Sequence, residues 1–216
     1  MPSALHKVTA LITRQGENGP HLLVFQHPTA GIQLPAGTVE ADEPVERAVL
    51  REIEEETGLT QVRLVGLLGA DRRELEDGWR LVLQYTYPLV GPVEGTLNLG
   101  FWLTRGGWVR QVGQEGTFAE VVYEEHDLNV EPPRLTCRFS GWLPADLLTD
   151  RLERHFFHLT LTAPTPEAWE QPSDGGHVYK LFWTPLVPRP RLVAGQDEWL
   201  DLVYEPLIAS VQNLFA

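Results

Sequence analysis

The sequence predicts a protein of the α/β class in its α+β form, with more strands than helices. The first observation is that β-branched and apolar runs, separated by turn residues, recur along most of the 216 residues. The second is that apolar residues recur at helical spacing in three segments, residues 45–57, 144–155 and 197–215. The third is a hydrophobic content of 43%, which is enough to bury a sizeable core.

Two strand-like runs lie near the N-terminus, at residues 7–14 and 21–28. Both are apolar and rich in β-branched residues, which favour strands. The segment "QGENG" between them contains two glycines and an asparagine, residues that favour turns. We therefore predict that the two runs pair as a β-hairpin.

The first helix is predicted from the residues at its ends. Pro44 suits the first helical turn, with Asp42 or Glu43 as the N-terminal cap. Gly58 suits the left-handed conformation that often follows a helix. These signals enclose about fourteen residues, a normal length for a helix.

The middle of the chain is predicted to be rich in antiparallel strands. Segments 62–75 and 79–90 are strand-like, and residues 91–150 contain short aromatic and β-branched runs separated by glycine and proline. We expect one domain over residues 1–216, with an antiparallel β-rich insertion at about 71–150. Such an insertion could cover a substrate pocket, form a dimer contact or enlarge the sheet.

The last third of the chain is predicted to contain helices and strands in turn. Residues 144–155, "PADLLTDRLERH", have the spacing of a helix. Residues 155–163 and 177–187 are predicted to be strands that pair around a loop. Residues 197–215 predict a terminal helix that contains Pro206, a residue that can kink a helix.

The charge of the chain argues against binding to a nucleic-acid backbone. There are 30 acidic and 17 basic residues, so the formal net charge is -13. Proteins that bind nucleic-acid phosphates display basic faces instead. If the substrate is an anion, bound metal cations are the expected source of attraction.

Hydropathy and cysteine content predict a cytoplasmic protein. No apolar run approaches the roughly 20 residues that span a bilayer, and the first residues do not resemble a secretory signal. Cys137 is the single cysteine, so the sequence offers neither an internal disulfide nor a cysteine-rich zinc site. We expect no membrane association.

The segment "REIEEETGL" crowds four glutamates onto the first helix. At 100° per residue, Glu52 and Glu56 fall within the apolar stripe, Glu55 lies at its margin and Glu54 points to solvent. Two carboxylates about 6 Å apart repel by about 3 kcal/mol at an effective dielectric near 20. Divalent cations such as Mg²⁺ or Mn²⁺ would offset that charge with carboxylate ligands. The apolar stripe consists of Val45, Ala48, Val49 and Ile53.

These residues resemble a known motif, the Nudix box, over Gly37 to Leu59. Gly37, Glu43 and "REIEEETGL" match it at every specified position and spacing. The resemblance implies a Nudix hydrolase, with the Nudix fold of a mixed β-sheet sandwiched between helices. It also implies a loop–helix–loop unit that holds divalent metal against a diphosphate.

The resemblance further implies a role for each residue of the motif. The metal ligands would be Glu52, Glu55, Glu56 and the carbonyl of Gly37. Arg51 would brace these carboxylates, or it could be a surface partner of Glu55. Two further residues would be structural, namely Glu43, which could instead be only a helix N-terminal charge, and Gly58.

The implied reaction is hydrolysis of a phosphoanhydride bond in a nucleoside diphosphate linked to another moiety X, by metal-activated water attack. The cofactor would be Mg²⁺ or Mn²⁺, and the partner a small nucleotide or nucleotide derivative. A Nudix-fold module that binds or senses a nucleotide without cleaving it is the alternative. A homodimer is possible, and the identity of X is not encoded in the box.

Several roles outside the metal site stay open. Catalysis is assigned to Glu52 as the general base, with Arg51 and Glu56, although a distant acidic residue could supply the base. Arg14 and Lys180 are weak candidates for contact with phosphate. The other candidate bases are Glu124, Glu125, Glu167, Glu170 and Glu198.

For three other features of the sequence we favour an ordinary structural role. His155 and His158 lie three apart on a predicted strand, so they face opposite sides and are not expected to share a metal. Ala36 stands where the family commonly has glycine, which would be strained if its φ were positive. The tryptophans could stack on a base, but core packing is the more common role of such residues in strands; they include Trp102, Trp142, Trp169 and Trp183.

Overall fold

The computed structural model describes residues 4–172, 176–193 and 195–215. By their internal contacts the residues form two compact units. The helical unit contains Val8–Ala70 and Arg154–Ala216, and the strand unit contains Met1–Lys7 and Asp71–Glu153. The prediction of one domain with an insertion at about 71–150 stays a prediction.

The described residues form thirteen strands, two α-helices and one short 3₁₀ turn. The helices are α1 (Val45–Thr57) and α2 (Gln196–Phe215), and the 3₁₀ turn is Ala145–Leu147. The first six strands are β1 (Leu5–Gly16), β2 (Gly19–His27), β3 (Gly31–Gln33), β4 (Ala36–Thr38), β5 (Val62–Glu74) and β6 (Trp79–Val82). The remaining strands are β7 (Trp108–Glu115), β8 (Phe118–Asp127), β9 (Arg134–Pro144), β10 (Leu148–Thr149), β11 (Arg151–Leu161), β12 (Ala168–Pro172) and β13 (Val178–Pro185).

The larger sheet has eight strands in the order β12-β13-β2-β1-β11-β5, with β3 beside β2 and β4 beside β1. Strands β1 and β2 pair antiparallel around the Gly16–Gly19 turn, which confirms the predicted hairpin. Successive β2 residues point to opposite faces of the sheet, as the pleat requires. Leu23 therefore packs on the face covered by α1, whereas Leu22 packs on the face covered by α2.

Helix α2 covers its face with residues spaced as an amphipathic helix requires. Leu200, Val203, Leu207 and Val211 are buried there. Pro206 lies within the helix, as predicted, and on its exposed side. The larger sheet is thus packed between two helices, so the predicted α+β fold class is confirmed.

The smaller sheet has five strands in the order β10-β6-β7-β8-β9, and its strands lie within the strand unit. Each neighbouring pair is antiparallel. Its core contains Val82, Val109, Val121 and Leu143. The predicted antiparallel meander is confirmed, although the strand predicted over residues 79–90 ends at Val82.

The prediction of a helix over residues 144–155 is wrong. After the 3₁₀ turn, residues 151–161 form strand β11. Buried and less buried residues alternate over residues 151–156, with Leu152, Arg154 and Phe156 buried. Arg154 donates to Thr9 Oγ1 at 2.9 Å, and its guanidinium lies 3.6 Å from the centre of the Trp199 ring. The alternation typical of a strand was not recognised in the sequence, because arginine ordinarily indicates an exposed position and Arg154 is buried.

The pairing predicted between residues 155–163 and 177–187 is also wrong. Strand β11 lies between β1 and β5, whereas β13 lies between β2 and β12. Strand β12 comes from the segment predicted as a loop. Its Trp169 packs against the core beneath α1 and donates its indole N–H to the Thr57 carbonyl at 2.8 Å, which fixes this short edge strand.

In the ranges that the structure describes, neither helix combines the length and the apolar character needed to cross a bilayer.

Candidate active site

The helix that carries the glutamates does not begin as predicted. Pro44 is its N-cap, no side chain caps it, and Asp42 has a left-handed backbone with φ of 61°. The Glu43 carboxylate instead accepts hydrogen bonds from Arg51 and, at 3.0 Å, from the Glu40 amide. Both oxygens of Glu43 are therefore bound to Arg51 or Glu40 and do not cap the helix. At the other end Gly58 is left-handed, with φ of 71°, as predicted.

The predicted orientation of α1 agrees with the structure. Ala48, Val49 and Ile53 are buried against the sheet, and Glu54 is exposed. The Glu52 side chain is only 13% exposed although it is charged. The helix thus turns carboxylates toward the protein, where charge is costly.

Arg51 joins the carboxylates of this region. Its Nε and Nη2 donate to Glu43 Oε1 and Oε2 at 3.0 and 2.8 Å. Its Nη1 donates to Glu52 Oε1 and Glu55 Oε2, both at 2.9 Å, and Nη2 also donates to the Thr38 carbonyl at 3.0 Å. One guanidinium therefore fixes three side chains, which is more than a surface partner of Glu55 would do.

These contacts shift the pKa values of the charged groups. The bond from Arg51 lowers the pKa of Glu43, and the same bond raises the pKa of Arg51. Burial raises the pKa of Glu52, because removal from water disfavours its charged form, and Arg51 opposes that effect. Glu52 thus sits in a low-polarity position with its charge only partly compensated.

Gly37 packs directly against Glu52. A Cβ atom built on Gly37 would lie 1.8 Å from Glu52 Cδ and about as close to both carboxylate oxygens. No side chain fits there. The absence of a Cβ is therefore what lets the loop backbone approach the carboxylate.

Glu56 is the most deeply buried of the four glutamates. Its Oε2 accepts a hydrogen bond from the Ala36 amide at 2.8 Å, and burial raises its pKa to about 8. In the described part of the chain, no cationic side chain pairs with it. Ala36 itself has no positive φ, so alanine at this position carries no backbone strain.

The donor set suits a hard divalent cation. Glu52 and Glu56 are one turn apart on α1, Arg51 joins Glu52 to Glu55, and the Gly37 backbone lies against Glu52. The structure does not bring one carboxylate oxygen from each of the three glutamates within 4.8 Å of one another. Mg²⁺ and Mn²⁺ favour such oxygen ligands. A cation would also stabilise the ionised form of Glu56, for which the described residues supply no cationic side chain.

Two residues that the sequence did not assign to this site, Trp169 and Gln171, form hydrogen bonds with the C-terminal end of α1. Gln171 Nε2 donates to the Glu55 carbonyl at 3.4 Å, and a Cβ on Gly58 would lie 2.7 Å from Gln171 Oε1. Trp169 binds the Thr57 carbonyl, as described above. No local signal marks Gln171, because its role depends on the position of β12 beside the helix.

The candidate phosphate contacts are placed differently from each other. Arg14 forms an ion pair with Glu167, and its guanidinium lies 4.5 Å from the Trp183 ring centre. Lys180 is exposed on β13, opposite Gln26 and Glu170. The structure does not place either cation in contact with the glutamates of α1.

The other candidate bases are dispersed. Glu170 and Glu198 are exposed, on β12 and in the first turn of α2 respectively. Glu124 and Glu125 belong to the strand unit, where Arg138 Nε lies 3.3 Å from Glu124 Oε1. None of the hydrogen bonds described for these four joins them to Glu52.

The remaining predicted residues have separate surroundings. His158 is buried between Thr13 Oγ1 at 2.8 Å and Ser210 Oγ at 2.7 Å, a structural setting that leaves neither ring nitrogen free for a metal. Trp183 is buried, and its indole N–H donates to the Pro166 carbonyl at 3.2 Å. Trp102 and Trp142 lie in the strand unit.

Comparisons with known proteins agree with this motif. A family model described as NUDIX domain matches residues 5–129, which is more than half of the chain. A search of curated proteins found no match. Among solved structures, the C. elegans Ap4A hydrolase is 11% identical with a TM-score of 0.38, covering 99% of this chain and 100% of that one. The Shewanella oneidensis NrtR structure is 15% identical with a TM-score of 0.36, covering 95% of this chain and 64% of that one.

Both structural likenesses are weak, so the assignment depends on the family match and on the residues of the motif. The match begins in β1 and continues past α1, and it therefore includes the whole segment from Gly37 to Leu59. The chain belongs to the NUDIX domain family.

Proposed function

We propose that this protein is a divalent-metal-dependent hydrolase that cleaves a phosphoanhydride bond in a nucleoside diphosphate linked to another moiety X. The observation that carries the proposal is the pair of buried carboxylates, Glu52 and Glu56, on one side of α1. Glu56 has no cationic partner among the described residues, and Glu52 lies against the Gly37 backbone. Such an arrangement is costly unless a cation completes it.

The proposed cofactor is Mg²⁺ or Mn²⁺, held by Glu52, Glu55, Glu56 and the Gly37 carbonyl. When bound, the metal would neutralise charge on the phosphate oxygens and make a water more acidic. Hydrolysis of a phosphoanhydride needs mainly positioning and charge stabilisation. A protein nucleophile is therefore not required.

The side chains of the motif have distinct proposed roles. Arg51 holds Glu52 and Glu55 at 2.9 Å, which fixes the direction of their free oxygens. Glu52 is the proposed base that accepts the proton of the attacking water. Glu43 anchors Arg51 from the other side, and Gly58 ends α1 so that Glu55 and Glu56 stay in its last turn.

The test is a screen of nucleoside diphosphate derivatives with Mg²⁺ or Mn²⁺, followed by product detection. It would include nucleotide sugars, ADP-ribose, dinucleoside polyphosphates and nucleoside triphosphates. We expect metal-dependent turnover of at least one class. No turnover combined with tight nucleotide binding would favour the alternative, a module that senses a nucleotide without cleaving it.

A matched pair of variants tests the assignment of the site. Glu56→Gln should lower kcat by about three orders of magnitude, since a metal supplies several kcal/mol of transition-state stabilisation. Glu54→Gln, on the exposed side of the same helix, should stay within threefold of the wild type. If Glu56→Gln stays within tenfold, Glu56 is not a metal ligand.

Four further expectations stay predictions. They are a small-molecule nucleotide partner, the lack of nucleic-acid backbone binding, a cytoplasmic location and a possible homodimer.

A further inference from the structure

A cavity of about 490 Å³ in the strand unit has walls of aromatic rings and carboxylates. Trp102 precedes β7, Trp108 is the first residue of β7, and Tyr123, Glu124 and Glu125 follow one another on β8. The volume is typical of small-molecule sites. Among the described residues that line the cavity, none is lysine, arginine or histidine.

The two indole rings are unusually exposed. Trp102 is 57% exposed and Trp108 is 40% exposed. Large apolar groups clustered at a surface commonly mark an interaction site. The cavity therefore offers a ligand two exposed indole rings beside polar groups.

Each indole is supported by a second ring. Trp102 is stacked on Tyr85, with ring centres 6.2 Å apart and an interplanar angle of 26°. Trp108 meets Trp79 edge-on at 6.0 Å. These contacts restrict the rings before any ligand binds, which lowers the entropy that binding must remove.

The third ring and the carboxylates set the charge of the cavity. Tyr123 stacks on Phe139 at 4.9 Å, and its hydroxyl donates to Glu125 Oε1. Glu124 Oε1 lies 3.3 Å from Arg138 Nε, whereas the structure describes no ion pair for Glu125. The faces of aromatic rings are also electronegative. The cavity therefore repels phosphate and other anions.

We propose that this cavity binds a methylated ammonium group, with Trp102, Trp108 and Tyr123 as its aromatic walls and Glu125 as its nearby anion. Ring faces attract organic cations through their quadrupole, and groups of such rings recognise quaternary ammonium ligands. Glu124 is paired with Arg138, so a small metal ion would find only the Glu125 carboxylate to replace its strongly bound water. This proposal is independent of the hydrolase activity proposed above.

The test uses two probes of nearly equal shape, choline and the neutral 3,3-dimethylbutan-1-ol, added to the full-length protein. Proton NMR follows the methyl resonances, because ring currents shift protons that lie over indole faces. We expect a saturable upfield shift for choline and a much smaller one for the alcohol. Equal binding of both probes, or no saturable choline shift, would overturn the proposal.

Variants locate the binding. Trp102→Leu and Trp108→Leu should each weaken choline binding roughly 5- to 30-fold, in line with one partly desolvated cation–π contact. Leu97→Ala is the matched control, because Leu97 is 82% exposed in the same unit and does not line the cavity. Unchanged affinity in both tryptophan variants would also overturn the proposal.

A second pair keeps the test decisive if a leucine variant fails to fold. Trp108→Phe retains a ring and should bind choline within a few-fold of the wild type. Glu125→Gln should weaken choline but leave the neutral alcohol unchanged. Equal loss of both probes in Glu125→Gln would indicate a structural role for Glu125 and contradict the proposed charge recognition.

Discussion

The buried carboxylate of Glu56 should destabilise the metal-free protein, so Glu56→Gln is predicted to stabilise it. Burial raises the pKa of Glu56 from its ordinary value of 4.5 to about 8. The charged form is therefore disfavoured in the folded state. Linkage then requires stability to fall as pH rises above about 4.5, and to level off above about 8.

The size of the effect follows from these two pKa values. At pH 7 the unfolded carboxyl is ionised while the folded one is mostly protonated, which corresponds to about 3 kcal/mol. Glutamine keeps the shape of the side chain, and its amide oxygen can accept the Ala36 N–H bond. Its amide nitrogen gains no known partner, which costs about 1 to 2 kcal/mol. We therefore expect a net gain of about 1 to 2 kcal/mol.

The assay is urea unfolding in the presence of a chelator at pH 5 and pH 8. Through Glu56, the free energy of unfolding of the wild type should fall by about 3 kcal/mol from pH 5 to pH 8. The Glu56→Gln variant should not show this decrease. Glu54→Gln is exposed and should behave as the wild type. Mg²⁺ should then stabilise the wild type more than Glu56→Gln. A variant that is less stable than the wild type at pH 8, with the same pH dependence, would refute the reasoning.

Three further predictions test the neighbouring contacts. Gly37→Ala should lower activity by about a hundredfold, because its Cβ would displace the Glu52 carboxylate; Gly66→Ala, where a Cβ meets nothing within 4 Å, should not. Arg51→Lys should lower activity about 10- to 100-fold, because an ammonium cannot hold three carboxylates as the guanidinium does. His158 has a pKa lowered to about 4, mainly by burial and also by Arg63. Through this group alone the wild type should lose about 2 kcal/mol of unfolding free energy as pH falls from 7 to 5, so its stability relative to His158→Gln should fall by about that amount.

Each of these has a decisive measurement. Steady-state kinetics on the substrate found in the screen decide the first two, and activity of Gly37→Ala equal to that of the control would contradict the packing argument. An Arg51→Lys enzyme as active as the wild type would show that Arg51 is only a surface partner. For His158, equal pH dependence of unfolding in wild type and variant would exclude the buried imidazole as its source.

Local sequence was sufficient to predict the β1–β2 hairpin, the orientation of α1 and the residue that ends this helix. The hairpin of β1 and β2 follows from two β-branched runs around a glycine-containing turn. The burial of Ile53 and exposure of Glu54 follow from helical periodicity, which needs no knowledge of the partner surface. Gly58 could be placed because a left-handed helix end strongly favours glycine.

Contacts distant in sequence account for the errors. Glu43 does not cap α1 because Arg51, two turns later, takes both of its oxygens. Residues 151–161 form a strand because Arg154 finds partners on β1 and α2 that make its burial tolerable. Strand β12 forms because Trp169 reaches the end of α1.

The spacing of residues along a helix fixes the direction of each side chain, so the amino-acid sequence alone was enough to predict that Glu52 and Glu56 face the protein. It also determined the family motif, since that is a pattern of residue types at fixed separations. The contacts that hold each carboxylate come from the three-dimensional fold. The backbone of β4 contacts side chains of α1 through the Ala36 amide, Gly37 and the Thr38 carbonyl. Burial at this contact raises the pKa of Glu56. Such effects depend on distances in space and on exclusion of water, and neither is encoded in a short stretch of chain.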